Sequence, residues 1–519
     1  MRCTKPAAAA VLLLATAAIL VSPATATPPA SGSTIIELRP AARCSEAVFL
    51  ANAGGTLVAS SLNLYRVPNT VAARVVSTLR LHGALRFSAP NRIVGSLAVV
   101  DFADPLVPTE WWRAAVGVDT LTPPPAGRAV TAVDSGIDVS HPEFLGRANT
   151  EILNPQEPVG IGGEHGTAVV SLIAAPVNGL GLVGIYPEAL VRSWDAARGA
   201  GTALDTVDIV QGILAAANLG PGVVNLSLGS GGKELAIEQA IYEAVSKGIL
   251  VVAASGNDGD TGNPLGYPAS IPHVLTVGAS DRANRIATFS SRSPFLDLAA
   301  PGVAMPIATA IGKGWRTGEG TSFAAPLVSG ASAWVWTVRP GIDASQLFEI
   351  MRRSAVDIGL PGRDDAAGYG LLNVPAALAY PTPPRDPSEP NDDIEFVRPG
   401  GLYDTSLPAL TTPAGRMATI RARLDRVEDP RDVYRVWLPK NSRVTATVTT
   451  TASVDLSLWK QDAVSVVERL LGTDRLARAT ARGLSTRLTF YNQGPGRFAF
   501  LAVAPSRGVR EATYRLRLG

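Results

Sequence analysis

Residues 223–253 read VVNLSLGSGGKELAIEQAIYEAVSKGILVVA. Val223–Leu226 and Ile249–Ala253 are short β-rich runs of the kind found in strands buried on both faces. Glu234–Lys247, between them, carries a helical pattern. Strand, helix and strand in this order read as one unit of a parallel sheet. The alternation extends in both directions, with strands at Ala129–Val133 and Val274–Val277 and a helix at Ala203–Leu219. From Arg128 to about Tyr380 the sequence therefore predicts an α/β fold with a doubly wound parallel sheet. Such sheets place their sites at the carboxyl ends of the strands.

The flanks differ. The chain has 519 residues, too many for one core, and suggests about three units. Before the α/β region, Ser33 to about Asn91 reads as a small α+β unit. It has a strand at Leu62–Val67, a helix capped by Asn69-Thr70 with Val71, Val75 and Leu79 in its stripe, and a returning strand from Ala84. After it, YPTPPRDPSEP (380–390) is a stiff, proline-rich linker. The period then changes to two: Val444, Ala446 and Val448 alternate with threonines, and Val454, Leu456 and Leu458 follow suit. That pattern predicts an all-β sandwich.

The first residues form an export signal. Arg2 and Lys5 precede an apolar run from Ala7 to Val21, and ATA (24–26) supplies the small-x-small cleavage pattern. No other stretch is apolar enough to span a bilayer, which predicts an exported, secreted protein without a membrane anchor. The formal net charge is +2, from 46 Lys+Arg against 44 Asp+Glu, which speaks against a nucleic-acid partner. Two cysteines, Cys3 and Cys44, exclude a disulfide scaffold and a Cys-rich metal site. The histidines are His82, His141, His165 and His273, so imidazole chemistry has few candidates.

Four segments of the α/β region carry reactive side chains at strand ends or helix starts: AVDSGID (132–138), EHGT (164–167), AASGNDG (253–259) and GTSFAAP (320–326). A serine hydroxyl is a poor nucleophile at neutral pH and needs a base, and the base needs a group that fixes its tautomer. Ser322, His165 and Asp134 fit these roles in turn. Asn257 offers a neutral donor for a developing oxyanion, beside the backbone N–H of Ser322.

Together these segments resemble the Asp, His, Asn and Ser motifs of subtilisin-like serine peptidases, in that family's order. The spacings, 31 residues from Asp134 to His165 and 157 from there to Ser322, are typical of it. The resemblance continues through NLSLG (225–229), YPAS (267–270), LAAPG (298–302) and GYGLLN (368–373). Phe323 and Leu327 stand where the family often has Met and His. The resemblance implies a secreted serine endopeptidase acting on proteins or peptides through an acyl-enzyme. The alternative is a catalytically silent binding protein on the same scaffold, against which the intact set of four residues speaks. It also implies that Ser227, Leu228 and Gly229 pair with the substrate backbone, and that Asp258 and Gly266 form the floor and wall of the first specificity pocket.

The implied layout is a signal peptide (1–26), an inhibitor-type propeptide (27–106), the catalytic domain (107–380), the linker (381–390) and an accessory β-sandwich (391–519). The propeptide acts as an intramolecular chaperone and inhibitor, cut between Asn91 and Pro108, since DPLVPTEWW (104–112) resembles a mature N-terminus. The last domain resembles bacterial pre-peptidase C-terminal domains, and residues 384–519 hold 21 Lys+Arg against 15 Asp+Glu. The expected enzyme is monomeric and needs no cofactor for its chemistry. Structural calcium is common in the family; Asp392-Asp393 and Asp258/Asp260 are the pairs that could touch it, though the sequence fixes no ligands. GLGLVG (179–184) matches a dinucleotide fingerprint literally. It follows a helix and leads into a strand, the reverse of what phosphate binding requires.

Overall fold

The computed structural model describes residues 30–39, 44–59, 63–92, 104–155, 164–197, 203–386, 388–401, 407–467, 474–481 and 483–519. The expected export signal at 1–26 lies outside them, as does 93–103 within the expected cut region. The chain divides into two compact units, Met1–Leu97 and Ala98–Gly519.

The first unit contains β1 (Ala30–Leu38), α1 (Cys44–Asn52), β2 (Thr56–Ala59), β3 (Leu64–Pro68), α2 (Asn69–Leu81) and β4 (Leu85–Arg92). Its strands form an antiparallel sheet in the order β2-β3-β1-β4. Helix α2 buries Val75 and Leu79 as expected, but Ala72 rather than Val71 completes its buried stripe. The expected cap at Asn69-Thr70 is absent: the chain enters α2 through Pro68 with no side-chain cap bond. Strand pairing explains this, because it sets Thr34 of β1 opposite Val67, beside the start of the helix. Asn69 Oδ1 accepts from Thr34 Oγ1 at 2.7 Å, tying helix to strand.

The second unit opens with α3 (Trp112–Val116) and continues through β5 (Val130–Asp134), β6 (Thr150–Ile152), α4 (Glu164–Ala174), β7 (Val191–Asp195), α5 (Thr206–Asn218), β8 (Val223–Leu226), α6 (Leu235–Ser246), β9 (Leu250–Ala254), β10 (Val274–Ser280) and β11 (Leu296–Pro301). The sheet order is β11-β10-β9-β8-β5-β7-β6, and every pairing in it is parallel. Alternate residues of each strand feed two cores. Val130, Val223, Leu250 and Val252 join the core that includes α4. Val133, Val224, Val251 and Ala253 join the core that includes α5 and α6. A hairpin, β12 (Met305–Thr309) and β13 (Gly314–Gly318), leads into α7 (Thr321–Val338), followed by α8 (Ala344–Arg353) and α9 (Val374–Ala379). Helices α4 and α7 start within EHGT (164–167) and GTSFAAP (320–326), where the sequence places helix starts.

Beyond a short helix, α10 (Ile394–Val397), the described residues form the strands β14 (Ala418–Asp425), β15 (Asp432–Leu438), β16 (Ser442–Thr450), β17 (Val454–Trp459), β18 (Arg475–Ala479), β19 (Ser485–Asn492), β20 (Arg497–Pro505) and β21 (Glu511–Leu518). They form two four-stranded sheets, β14-β21-β16-β19 and β15-β20-β17-β18. Val448 and Leu516 from one sheet and Val436 and Leu501 from the other share a core, so the pair is a sandwich.

The sandwich is not a free appendage. Ile394, Phe396, Val433 and Phe500 belong to the same core as Ile241 and Ile271 of the α/β region. The linker is anchored too, with Gln346 Nε2 donating to the Pro383 carbonyl at 2.6 Å. At the centre of this junction Arg352 of α8 is 1% exposed. Its guanidinium meets Asp425 of β14 at 3.2 Å, Asp297 of β11 at 3.4 Å and Glu349 at 2.5 Å. Burial pushes the Asp297 carboxyl up to about 6, with the Arg352 charge opposing that rise.

Candidate active site

Asp134 is the last residue of β5, at the carboxyl edge of the parallel sheet, and is 1% exposed. Its Oδ1 accepts from the Ser135 N–H at 2.8 Å. Helix α4 brings His165 to it, and this approach depends on glycine. A Cβ at Gly166 would lie 2.0 Å from the Gly136 carbonyl oxygen, so only glycine lets the first turn of α4 sit there. The Gly166 N–H donates to Ser135 Oγ at 3.0 Å, closing the contact.

The result is a hydrogen bond between His165 Nδ1 and Asp134, 2.8 Å to Oδ1 and 3.0 Å to Oδ2. It fixes the imidazole with Nε2 as its other functional nitrogen. Burial lowers the His165 pKa, but the Asp134 charge and hydrogen bond outweigh it and leave the imidazole above its ordinary value. Arg316 of β13 acts against this rise. It is held near by Glu164, whose Oε1 accepts from Arg316 Nε at 3.0 Å and also from Thr309 Oγ1. Phe323 packs its ring against His165 with centroids 5.9 Å apart.

Ser322 sits in the first turn of α7, half-buried. Pro326 lies four residues on and has no N–H, so the Ser322 carbonyl loses its helical partner. Ser227 Oγ replaces it, donating to that carbonyl at 2.9 Å. Behind Ser227 lies a buried chain: Asn225 Nδ2 donates to Ser227 Oγ, and Ser329 Oγ to Asn225 Oδ1, both at 2.9 Å. Ser322 Oγ itself donates to the Ser227 carbonyl at 3.1 Å. Among the described residues no hydrogen bond joins it to His165, so the nucleophile–base contact expected from the sequence is not made in this conformation.

Asn257 follows β9. Its Oδ1 accepts from the Thr321 N–H at 2.9 Å and from Thr321 Oγ1 at 3.0 Å, which leaves Nδ2 as the outward donor. Gly320, at φ 148°, makes the approach, and a Cβ there would come within 3.4 Å of Asn257 Nδ2.

A cavity of about 580 Å³ opens beside Asp134 and His165, lined by Ser227, Leu228, Gly229, Ile209 and Tyr267 among others. Among the described residues no backbone hydrogen bond uses Leu228 or Gly229, so this edge can accept an extended strand. Asp258 and Gly266 do not line that cavity. Asp258 is exposed and braces a turn, its carbonyl accepting from the Thr261 and Asn263 N–H groups. The Gly266 Cα faces the Ser255 carbonyl, 3.0 Å from where a Cβ would stand.

The remaining histidines are engaged elsewhere. His141 is fully buried, with Nε2 3.0 Å from the Gly314 carbonyl and Nδ1 accepting from the Glu143 N–H. His273 Nε2 is 2.7 Å from Asp392 Oδ2, and His82 lies 3.8 Å from Glu46. The glycine-rich segment 179–184 lies between α4 and β7 and opens no helix.

The pattern described as the subtilase family matches residues 126–370. A subtilisin from Bacillus pumilus is 36% identical over 252 residues, 48% of this chain and 90% of that protein. This chain belongs to the subtilase family. An alkaline elastase from Bacillus sp. (strain YaB) is 35% identical over 251 residues, and the chain spans 64% of that relative's length. A psychrophilic subtilisin-like protease from the Antarctic psychrotroph Pseudoalteromonas sp. AS-11 aligns with 52% of this chain and 97% of its own, at 22% identity and a TM-score of 0.49.

The family raises the question of structural calcium. Of the residues singled out in the sequence, Asp392 holds His273 through Oδ2, Asp393 caps α10 and receives Ser465 Oγ, and Asp258 braces its turn. A different set converges instead. Asp386, Glu389, Asp429 and Asp432 each place one carboxylate oxygen within 4.8 Å of the others. Asp432 is fully buried, with Oδ2 accepting from the Tyr514 hydroxyl, while Asp386 Oδ2 accepts from the Arg423 N–H. Asp386 Oδ1, Asp429 Oδ1, Asp432 Oδ1 and both Glu389 oxygens are buried without a donor. An all-oxygen set with orphaned carboxylates fits a hard divalent cation such as calcium. Among the described residues no helix is long and apolar enough to cross a membrane.

Proposed function

We propose that the protein is a secreted serine endopeptidase that hydrolyses peptide bonds through Asp134, His165 and Ser322. The observation that carries this reading is the 2.8 Å bond from His165 to the buried Asp134 at the mouth of a strand-lined cleft. A peptide lies along Ser227, Leu228 and Gly229 as an added strand. Ser322 Oγ leaves the Ser227 carbonyl by rotating about its Cα–Cβ bond and gives its proton to His165 Nε2 as it attacks the scissile carbonyl. Asp134 stabilises the imidazolium so formed. The carbonyl oxygen takes up charge between Asn257 Nδ2 and the Ser322 N–H. The imidazolium then protonates the departing amine, and water hydrolyses the acyl-enzyme by the same route in reverse. Asp258 and Gly266 are proposed to bound the pocket for the residue before the scissile bond.

The proposal extends to processing. Residues 1–26 direct export, and 27–106 fold as an inhibitor-type propeptide that blocks the cleft until it is cut away. The catalytic domain is 107–380, joined by 381–390 to the accessory sandwich at 391–519, and the enzyme acts as a monomer. Incubating the protein, with the N-terminal segment removed, with a denatured protein substrate should release new N-termini, and a serine-directed inhibitor should stop this. No new termini after that removal would sink the reading.

Calcium would be held by Asp386, Glu389, Asp429 and Asp432, away from the reacting groups, and would neutralise carboxylates at the linker. The full chain should gain about 2.7 kcal/mol of stability at a calcium concentration ~100 times Kd. Asp432→Asn should abolish the difference between calcium and chelator in a thermal denaturation series. Equal midpoints for the unaltered protein in calcium and chelator would refute the site.

A further inference from the structure

The outward face of the sheet β14-β21-β16-β19 is basic over its exposed area. Ala446, Val448, Leu488, Tyr514 and Leu516 point into the sandwich core, so by the period-two rule their odd-numbered neighbours point out. Those neighbours include Arg421, Arg443, Arg487, Arg515 and Arg517, interleaved with threonines. Strand register sets Arg421 directly opposite Arg515, while Thr447 stands between Arg517 and Arg487. β16 and β19 contain no acidic residue. The two acids on this face, Asp425 and Glu511, are committed at one end to Arg352 and Arg353 of α8.

None of the five arginines makes an ion pair among the described residues, and the Nε of Arg515 is buried without an acceptor. Like charges directly opposite on neighbouring strands destabilise a sheet. The Arg421–Arg515 pair therefore has a cost that no ion pair among the described residues offsets, and an anion lying across the strands would offset it. The charged area spans about 20 Å along the strands and about 14 Å across them. It is flat and hydroxyl-rich. Tyr491, beside Arg443 at the rim, is its one aromatic side chain. Single-stranded nucleic acid stacks on successive aromatic platforms, and B-DNA is read by an element that enters a groove; the face offers a single aromatic side chain and no such element.

We propose that this face docks the enzyme on an extended anionic polysaccharide carrying carboxylate or sulfate groups. The arginines pair with its charges and the threonines with its hydroxyls, holding the peptidase at a charged matrix while the cleft remains free. The inference is independent of the catalytic reading, because binding does not require turnover.

The test is retention of the full-length protein on alginate and dextran sulfate, with neutral dextran as control, across a salt series. The protein should bind both acidic polymers, ignore neutral dextran, and elute as salt rises. The triple variant Arg421→Gln, Arg515→Gln, Arg517→Gln should lose at least about tenfold in affinity. A control that removes Arg282 and Arg285 from the α/β region and Arg385 from the linker should bind as the parent does, and both variants should keep the parent's circular dichroism spectrum. Equal loss in both triple variants would mean that net charge alone acts, and would overturn the proposal. So would tighter binding to single-stranded DNA than to the acidic polymers.

Discussion

Replacing Ser322 by alanine is expected to lower kcat/KM by on the order of 10⁶-fold, the scale at which subtilisin loses kcat when its nucleophile is removed. The size follows from the chemistry. Without Oγ there is no acyl-enzyme, and only the oxyanion donors and substrate binding remain to help water. Asp134→Asn should cost on the order of 10⁴-fold, because the wrong imidazole tautomer is then held and the positive charge forming on His165 loses its partner. The two variants separate in their pH profiles. His165 acts as a base only when neutral, and Asp134 holds its pKa above the ordinary histidine value. The acid limb of kcat/KM should therefore lie above that value in the parent. In Asp134→Asn it should move to lower pH, since burial, which lowers the pKa, then acts with less opposition.

The second large effect concerns the junction between the α/β region and the sandwich. Arg352→Met should destabilise the full chain by about 3–5 kcal/mol, because the side chain leaves buried carboxylates without their cation. Asp297 and Asp425 lose a partner within 3.4 Å. Glu428, 3% exposed with both oxygens already unpartnered, loses a nearby positive charge. The sign with pH follows from Asp297. Its folded pKa, about 6, exceeds that of an unfolded Asp, so folding takes up a proton and stability falls as pH rises between the two values. Removing Arg352 widens that gap. The deficit should be larger at pH 8 than at pH 5, as read from urea midpoints at each pH. A deficit below 1 kcal/mol and flat with pH would show that the junction tolerates the lost charge.

What the sequence made legible followed from local chemistry. Val223–Leu226 and its neighbours reveal a parallel sheet because strands buried on both faces must be apolar throughout. The strand ends then mark where Asp134 and Asn257 stand, and the helix starts mark His165 and Ser322. The relation between Pro326 and the Ser322 carbonyl was also open to reading, four residues apart, but the partner Ser227 lies 95 residues away and only the fold supplies it. Distance in the chain hid the rest. Asp386 and Asp432 share a site only because the linker folds back on the sandwich. Arg421 and Arg515 face each other only through a strand register that no local pattern sets. Asn69 looked like a cap because nothing nearby announced Thr34 as its partner.

Covalent labelling reports whether Ser322 is a nucleophile activated by His165. After removal of the N-terminal segment, a fluorophosphonate probe should attach once per chain, and peptide mapping should place the adduct on Ser322. Ser322→Ala should take no label, and His165→Ala should label far more slowly. An unlabelled parent, or equal labelling of Ser322→Ala, would contradict it.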